Sequence, residues 1–364
     1  MWFDIEELDK VDSPSLILSE EILDKNIGEM IAMVAGDTAR LMPHVKTNKC
    51  RQVIEKMVSK GITRFKASTL SEAEIAAEAG AASVLIAHQL VGPKIQRFFD
   101  LKKAFPATEL ATMVDNTDSA KAFSALSASN AALTVLYIDI NNGMDRSGIK
   151  PGKHLTELID FIKAEDNLTL KGLHVYDGHH REEELMERKR QTNFDFEKVH
   201  PFYDQLPEGF ELISGGTPTF SVHKERPNRI CSPGTCVFWD WGYGDRFKDQ
   251  HFEAAVLLVT RIISKPTQGI VTIDLGHKAV AAENPIDKRV RFVNLEGYEL
   301  ISQSEEHGVL KVQNWDELDV GDVFFGIPYH ICPTVNLHDG FTVIKDKKIT
   351  DFWEITARKR KITY

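Results

Sequence analysis

The sequence predicts an α/β chain: a (β/α)8 barrel of the TIM type joined to a C-terminal antiparallel β domain. Three observations carry this. Between residues 38 and 235, short apolar runs recur eight times, most of them separated by segments of helical period. The runs are apolar throughout rather than alternating, which suits parallel strands covered on both faces. From about residue 241 the texture changes to short β-type runs broken by Gly, Asp, Asn and Pro, as antiparallel pairing requires. A chain of 364 residues has the length for roughly two domains. The expected division is a barrel over 18–240, with 1–17 and 241–364 forming the β domain.

Taken in order, SPSLILS (13–19) is a strand that precedes the first barrel helix and can join the β domain instead. EEILDKNIGEMIAMV then places Leu23, Ile27, Met30, Ile31 and Val34 on one helical stripe. The barrel strands are LMPHV (41–45), TRFKA (63–67), SVLIA (83–87), ELATMV (109–114), LTVLYIDI (133–140), TLKGLHVY (169–176), FELIS (210–214) and NRICS (228–232). Among the helices, SEAEIAAEAG offers Ser71 as N-cap with Glu74 three residues on and Gly80 past the end. HLTELIDFI sets Leu155, Leu158, Ile159 and Ile162 on one face. After 241, AAVLLVTRIIS, GIVTIDLG, GVLKV, GDVFFGIP, GFTVIK and KKITDFWEI are the β-domain strands.

Composition excludes several classes. A net charge of −10 with scattered basic residues argues against nucleic-acid binding, which rests on Lys and Arg neutralising phosphates. No apolar run approaches the ~18 residues of a membrane helix. The acidic start MWFDIEELDK lacks a signal core, and four cysteines are too few for a disulfide scaffold. A cytoplasmic protein is expected.

Polar residues cluster directly after the strands, where barrel active sites are built. Lys46 follows the first strand; partial desolvation there favours an amine able to form a Schiff base, against the plain alternative of a surface lysine. Two Gly-rich turns, Ser214-Gly215-Gly216-Thr217 and Ser232-Pro233-Gly234-Thr235, follow the seventh and eighth strands, the loops that commonly hold a phosphate. His330 and Cys332 alternate on a segment read as extended, so an imidazole and a thiolate share a face and can bind one ion, with zinc favoured by the N/S donors. His179 and His180 stand near the barrel mouth in a polar loop.

These motifs in order (SPSLIL, PHVKTNK, DINNGMDRSGI, LHVYDG, SGGTPT, SPGTCVF and PYHIC) resemble the D-threonine aldolase and D-serine dehydratase group of pyridoxal-phosphate (PLP) enzymes, which share an alanine-racemase-type barrel and a C-terminal β domain. The resemblance implies that Lys46 carries PLP as a Schiff base, that Tyr176 lies beside it, and that Gly216, Thr217, Gly234 and Thr235 hold its phosphate. It places Arg146 in the active-site wall and His330 with Cys332 as the metal pair. It also implies a homodimer. Three positions depart from the family pattern. Met42 stands where Arg is frequent, and Cys236 where Tyr follows the PGT turn. The pair is H-x-C, the dehydratase form, rather than the aldolase H-x-D. The aldolases' basic histidine has Glu182 nearest its spacing.

The resulting expectation is a PLP- and divalent-metal-dependent lyase on D-3-hydroxy amino acids, with zinc ahead of manganese or magnesium. The thiolate ligand leans toward D-serine-type dehydration over D-threonine-type cleavage to glycine and aldehyde. In the cleavage, His179 or His180 is the expected base at the β-hydroxyl. The alternatives are an amino-acid racemase without metal and a non-enzymatic PLP carrier; the long segment after the barrel argues against the carrier.

Overall fold

The computed structural model describes residues 1–360 and 363. Part of the expected C-terminal domain, at 361, 362 and 364, lies outside the described residues. The chain divides into two units. One holds Met1–Glu29, Thr47–Cys50 and Thr235–Arg358; the other holds Met30–Lys46 and Arg51–Gly234. The first division therefore falls inside the helix Glu20–Met33 rather than ahead of it, and the second at 234/235 rather than 240/241. Asn26 supplies a physical reason: its buried side-chain amide donates to the carbonyls of Val237 and Glu253, at 3.1 and 2.8 Å.

Strand β1 (Ser15–Ser19) is SLILS, and it belongs to the β unit. In the barrel unit, seven parallel strands form one sheet in chain order: β2 (Arg64–Ala67), β3 (Ser83–Ile86), β4 (Glu109–Val114), β5 (Thr134–Ile140), β6 (Leu168–Val175), β7 (Glu211–Ser214) and β8 (Ile230–Cys231). The expected first strand, LMPHV, is not a regular one. Leu41 makes a single parallel bridge to Cys231 and His44 another to Lys66, so this segment takes the eighth place between β8 and β2. Pro43 has no N–H to give a ladder. Its carbonyl still accepts from Lys66, and Met42 donates to the Cys231 carbonyl, each at 2.9 Å. Met42, Leu85, Met113, Tyr137 and Ile213 fill the core inside this ring.

The helix over Lys153–Ala164 buries Leu155, Leu158, Ile159 and Ile162, the stripe its period predicts. The helix Leu70–Glu78 starts earlier than expected: Thr69, not Ser71, is the N-cap, its hydroxyl accepting from the Glu72 N–H at 3.1 Å. Glu72 returns a carboxylate to the Ser68 N–H at 2.6 Å. Two overlapping hydroxyl/glutamate pairs, Thr69/Glu72 and Ser71/Glu74, compete in the sequence, and the first has the extended backbone a cap needs.

The β unit holds one nine-stranded sheet. Its strands are β1, β9 (Val256–Thr267), β10 (Ile270–Ile273), β11 (Val290–Phe292), β12 (Tyr298–Gln303), β13 (Gly308–Val312), β14 (Val323–Pro328), β15 (Gly340–Lys345) and β16 (Lys348–Glu354). Every pairing is antiparallel except that of β1 with β15. Among the described residues no helix is long and apolar enough to cross a membrane.

Candidate active site

In the barrel unit the C-terminal ends of the strands surround a cavity of about 410 Å3. Lys46, Arg146 and Tyr176, all singled out from sequence, line it, as do Lys66, Asp139 and His174. The Tyr176 ring is the common reference: the Lys46 and Lys66 ammonium nitrogens lie 6.0 and 5.8 Å from its centroid, and the Arg146 guanidinium 4.8 Å. His44 orients the lysine segment, its Nδ1 accepting from the Lys46 backbone N–H at 3.3 Å and its Nε2 meeting the Ser68 hydroxyl at 3.1 Å.

Arg146 rides on the loop after β5. Asn141 accepts from the N–H groups of Gly143 and Asp145. At Gly148 (φ +94°) a Cβ would stand 2.6 Å from the Asn141 nitrogen, so only glycine lets the loop close on itself. Asp139, at the end of β5, accepts from Ser147, from Gln89 and from His174 Nδ1 at 2.9, 2.8 and 2.7 Å. Burial alone would raise its pKa; these donors, His174 first, hold it below the usual carboxylate range. Since a carboxylate only accepts, His174 Nδ1 is the donor and its Nε2 is left as an acceptor, facing Lys66 Nζ at 3.3 Å. Burial, then the positive charge of Lys66, push His174 below its ordinary value. Lys66 itself is buried and brought down to about 7, by desolvation first and then by the charge of Lys46.

The glycine turns sit at the ends of β7 and β8. A Cβ on Gly216 would reach to 2.9 Å of the Tyr176 ring, so that turn lies directly against the pocket wall. The Gly234 N–H donates to Thr217 Oγ1 at 3.1 Å, tying the two turns together. Asp177, fully buried after Tyr176, anchors the first turn from below: it accepts from Thr219 and meets His223 Nε2, both at 2.6 Å. Burial opposes its ionisation, yet His223 and Thr219 keep its pKa lowered. Thr235 opens the β unit in a short 3-10 turn, 3.6 Å from the Cys332 sulfur.

His330 and Cys332 are in contact, though not on an extended strand. His330 has β backbone angles as the N-cap, and Cys332 lies within the short helix Ile331–Val335. Asp240 fixes that turn by accepting from the Ile331 N–H at 3.1 Å. Glu283 meets His330 Nδ1 at 2.6 Å, which turns the other ring nitrogen toward Cys332, and Thr47 Oγ1 lies 3.2 Å from the sulfur. Burial works against a proton on His330, but Cys332, Glu283 and Asp240 raise it to about 9. An imidazole and a thiol side by side, backed by carboxylates, form a donor set that suits a divalent cation.

His179 and His180 do not line the pocket. Both present Nε2 to Asp195 Oδ2, at 3.2 and 3.1 Å, and Lys198 takes the other oxygen. The base expected at one of them is therefore engaged elsewhere, by a carboxylate on the helix Leu185–Phe196 that no sequence motif marks. Lys66 and His174 were the residues sequence reasoning missed. The signal on offer is a titratable side chain inside the otherwise apolar runs FKA and LHV.

A family model described as alanine racemase, N-terminal domain, matches residues 19–240. The chain belongs to this alanine racemase N-terminal domain family. A putative serine dehydratase domain model matches 255–344 in addition. This racemase-family chain is 26% identical to a D-threonine aldolase of an Arthrobacter species, over 96% of its own length and 94% of the relative's. It is 27% identical to a 3-hydroxy-D-aspartate aldolase of Paracoccus denitrificans, covering 96% and 92%. Of solved structures, the D-threonine aldolase from Filomicrobium marinum superposes with a TM-score of 0.86 at 26% identity, covering 96% of both chains. The D-threo-3-hydroxyaspartate dehydratase of a Delftia species has the same fold at 0.82 and 20% identity, over 95% of this chain and 97% of that one. A cysteine variant of that dehydratase is described as a metal-free form.

Proposed function

We propose that this chain is a PLP-dependent lyase on D-3-hydroxy amino acids, with cleavage to glycine and an aldehyde as its first reaction. The observation that carries the reading is the single cavity in which the Lys46 amine, Arg146 and the Tyr176 ring face one another, with the Gly216 turn against the ring. These residues fit PLP: an amine for its aldehyde, cations for its anionic groups, and a glycine turn with hydroxyls for its phosphate. Lys46 would hold the cofactor, and Gly216, Thr217, Gly234 and Thr235 its phosphate. When bound, PLP supplies a sink for the electron pair released at Cα.

The curated aldolases are matched in sequence over nearly the whole chain at 26–27% identity, which supports cleavage over the dehydration that the sequence alone favoured. Dehydration to a keto acid and ammonia is the second reading, favoured by the thiol donor at Cys332. His330 and Cys332 would hold a divalent ion, zinc ahead of manganese or magnesium, which there would supply Lewis acidity. A homodimer in the cytoplasm belongs to the same reading and is checked by light scattering and fractionation.

The test is incubation of the protein, loaded with PLP and zinc, with D-threonine, D-serine and D-3-hydroxyaspartate, separating glycine from keto acid. Glycine plus aldehyde is the expected product. Keto acid alone selects dehydration. Racemised amino acid formed in the presence of chelator, with neither lyase product, overturns the reading in favour of a racemase.

A further inference from the structure

The cavity holds a second lysine that the scheme above does not use. Lys66 lies at the end of β2, is 3% exposed, and lines the same space as Lys46. Among the described residues no carboxylate forms an ion pair with it; its side-chain partner is His174 Nε2 at 3.3 Å. Behind His174 stands Asp139, which fixes the ring so that its Nε2 lone pair points at the amine. The charged and titratable groups around Lys66 are Lys46, Arg146, Asp139 and Asp177, with His174 in contact and the Tyr176 ring centroid 5.8 Å away. Two cations oppose its charge, one carboxylate is already occupied by three donors, and Asp177 is bound to His223 and Thr219. An amine held this way exchanges a proton near neutral pH, which is what a general base at an alcohol needs.

Resting on the lyase reading, we propose that Lys66 is the catalytic base at the substrate β-hydroxyl, positioned by the His174–Asp139 pair. In cleavage the β-O–H bond breaks and its proton goes to Lys66 Nζ. The oxygen lone pair forms the aldehyde C=O as the Cα–Cβ bond breaks, and that bonding pair stays on Cα, for which bound PLP would supply the electron sink. A proton then returns to Cα, glycine leaves, and Lys66 gives its proton to solvent, so that charge and atoms close over the cycle. The aldolase histidine has only Glu182 near its spacing in this chain, and His179 and His180 are engaged by Asp195; Lys66 fills a role for which the pocket offers a group.

The test compares Lys66→Met and Lys66→Arg with the parent holoenzyme in two reactions. One is cleavage of D-3-hydroxy substrates. The other is exchange of the Cα hydrogen of D-alanine in heavy water, which has no β-hydroxyl to deprotonate. Lys66→Met should lower kcat for cleavage by roughly 10²- to 10⁴-fold, keep the PLP absorbance, and keep Cα exchange. The acid limb of the parent's cleavage profile should vanish in Lys66→Met and shift in His174→Asn. Recovery of cleavage in Lys66→Arg, which keeps charge without a transferable proton, would overturn the proposal in favour of simple anion binding. Full cleavage in Lys66→Met would overturn it outright. Independently of activity, cofactor-free parent protein should gain thermal stability between pH 7 and 10 by an increment that Lys66→Met lacks; equal curves also sink the idea. Failure of the lyase reading itself is distinguishable, because it appears in the parent protein and not only in the variants.

Discussion

Lys46 and Lys66 line the same cavity at nearly equal distances from the Tyr176 ring, and what separates them is attachment. Lys46 belongs to an irregular segment oriented by His44, whereas Lys66 is a strand residue locked to His174. Lys46→Ala should therefore lose the visible absorbance of bound PLP and its borohydride-trapped label. A label found on Lys66 or Lys49 of the parent protein would contradict the assignment. At the metal pair, Cys332→Ala or chelation should abolish turnover while PLP absorbance survives, because Lys46 needs no metal to bind an aldehyde. Cys332→Asp should move the preference from zinc toward manganese or magnesium, since carboxylate is the harder donor; unchanged metal selectivity would remove Cys332 from the ligand set.

The elements were readable to different depths. Barrel strands are continuous apolar runs because both faces are covered, and that alone located β2 to β8. The LMPHV segment has the same texture, yet Pro43 denies it a ladder, so apolarity signalled burial there and not strand geometry. In the β unit, β11 is three residues long and β12 buries only Leu300, which leaves little apolar pattern to read. Lys46, Arg146 and Tyr176 were legible since they follow strands in recognisable motifs. Lys66 and His174 lie inside strands, where only the three-dimensional ring shows that their side chains meet. Gly216→Val pushes into the Tyr176 ring and removes about one charged hydrogen bond, roughly 1.5–3 kcal/mol, so PLP affinity should fall about 10- to 150-fold in a spectrophotometric titration. Unchanged affinity in a folded variant would take the turn out of the site.

For the whole molecule, two buried groups both make stability fall toward acid, in different pH windows. Lys66 has a folded pKa of about 7 against an ordinary 10.5, so the unfolded chain binds more protons between those values. Stability should then rise with pH across that window, by at most ~1.4 kcal/mol per unit from this group. Asp177 has a lowered pKa, so its contribution is present above the ordinary carboxylate value and lost as pH falls through the folded one. Asp177→Asn should flatten the acid side of a thermal-unfolding curve and, by removing a carboxylate that favours charged Lys66, leave the rise above neutrality at least as large. The single bridges of the Leu41–His44 segment have a consequence for how the protein comes into being. This segment pairs with Cys231 on one flank and Lys66 on the other, so the stretch leading to Lys46 has no complete seat until the last barrel strand has been made. A chain emerging from the ribosome, or refolding from denaturant, closes that ring across most of its barrel sequence. Capture of PLP by Lys46 thus marks the end of assembly, and should trail the recovery of backbone signal when the two are followed in one refolding experiment.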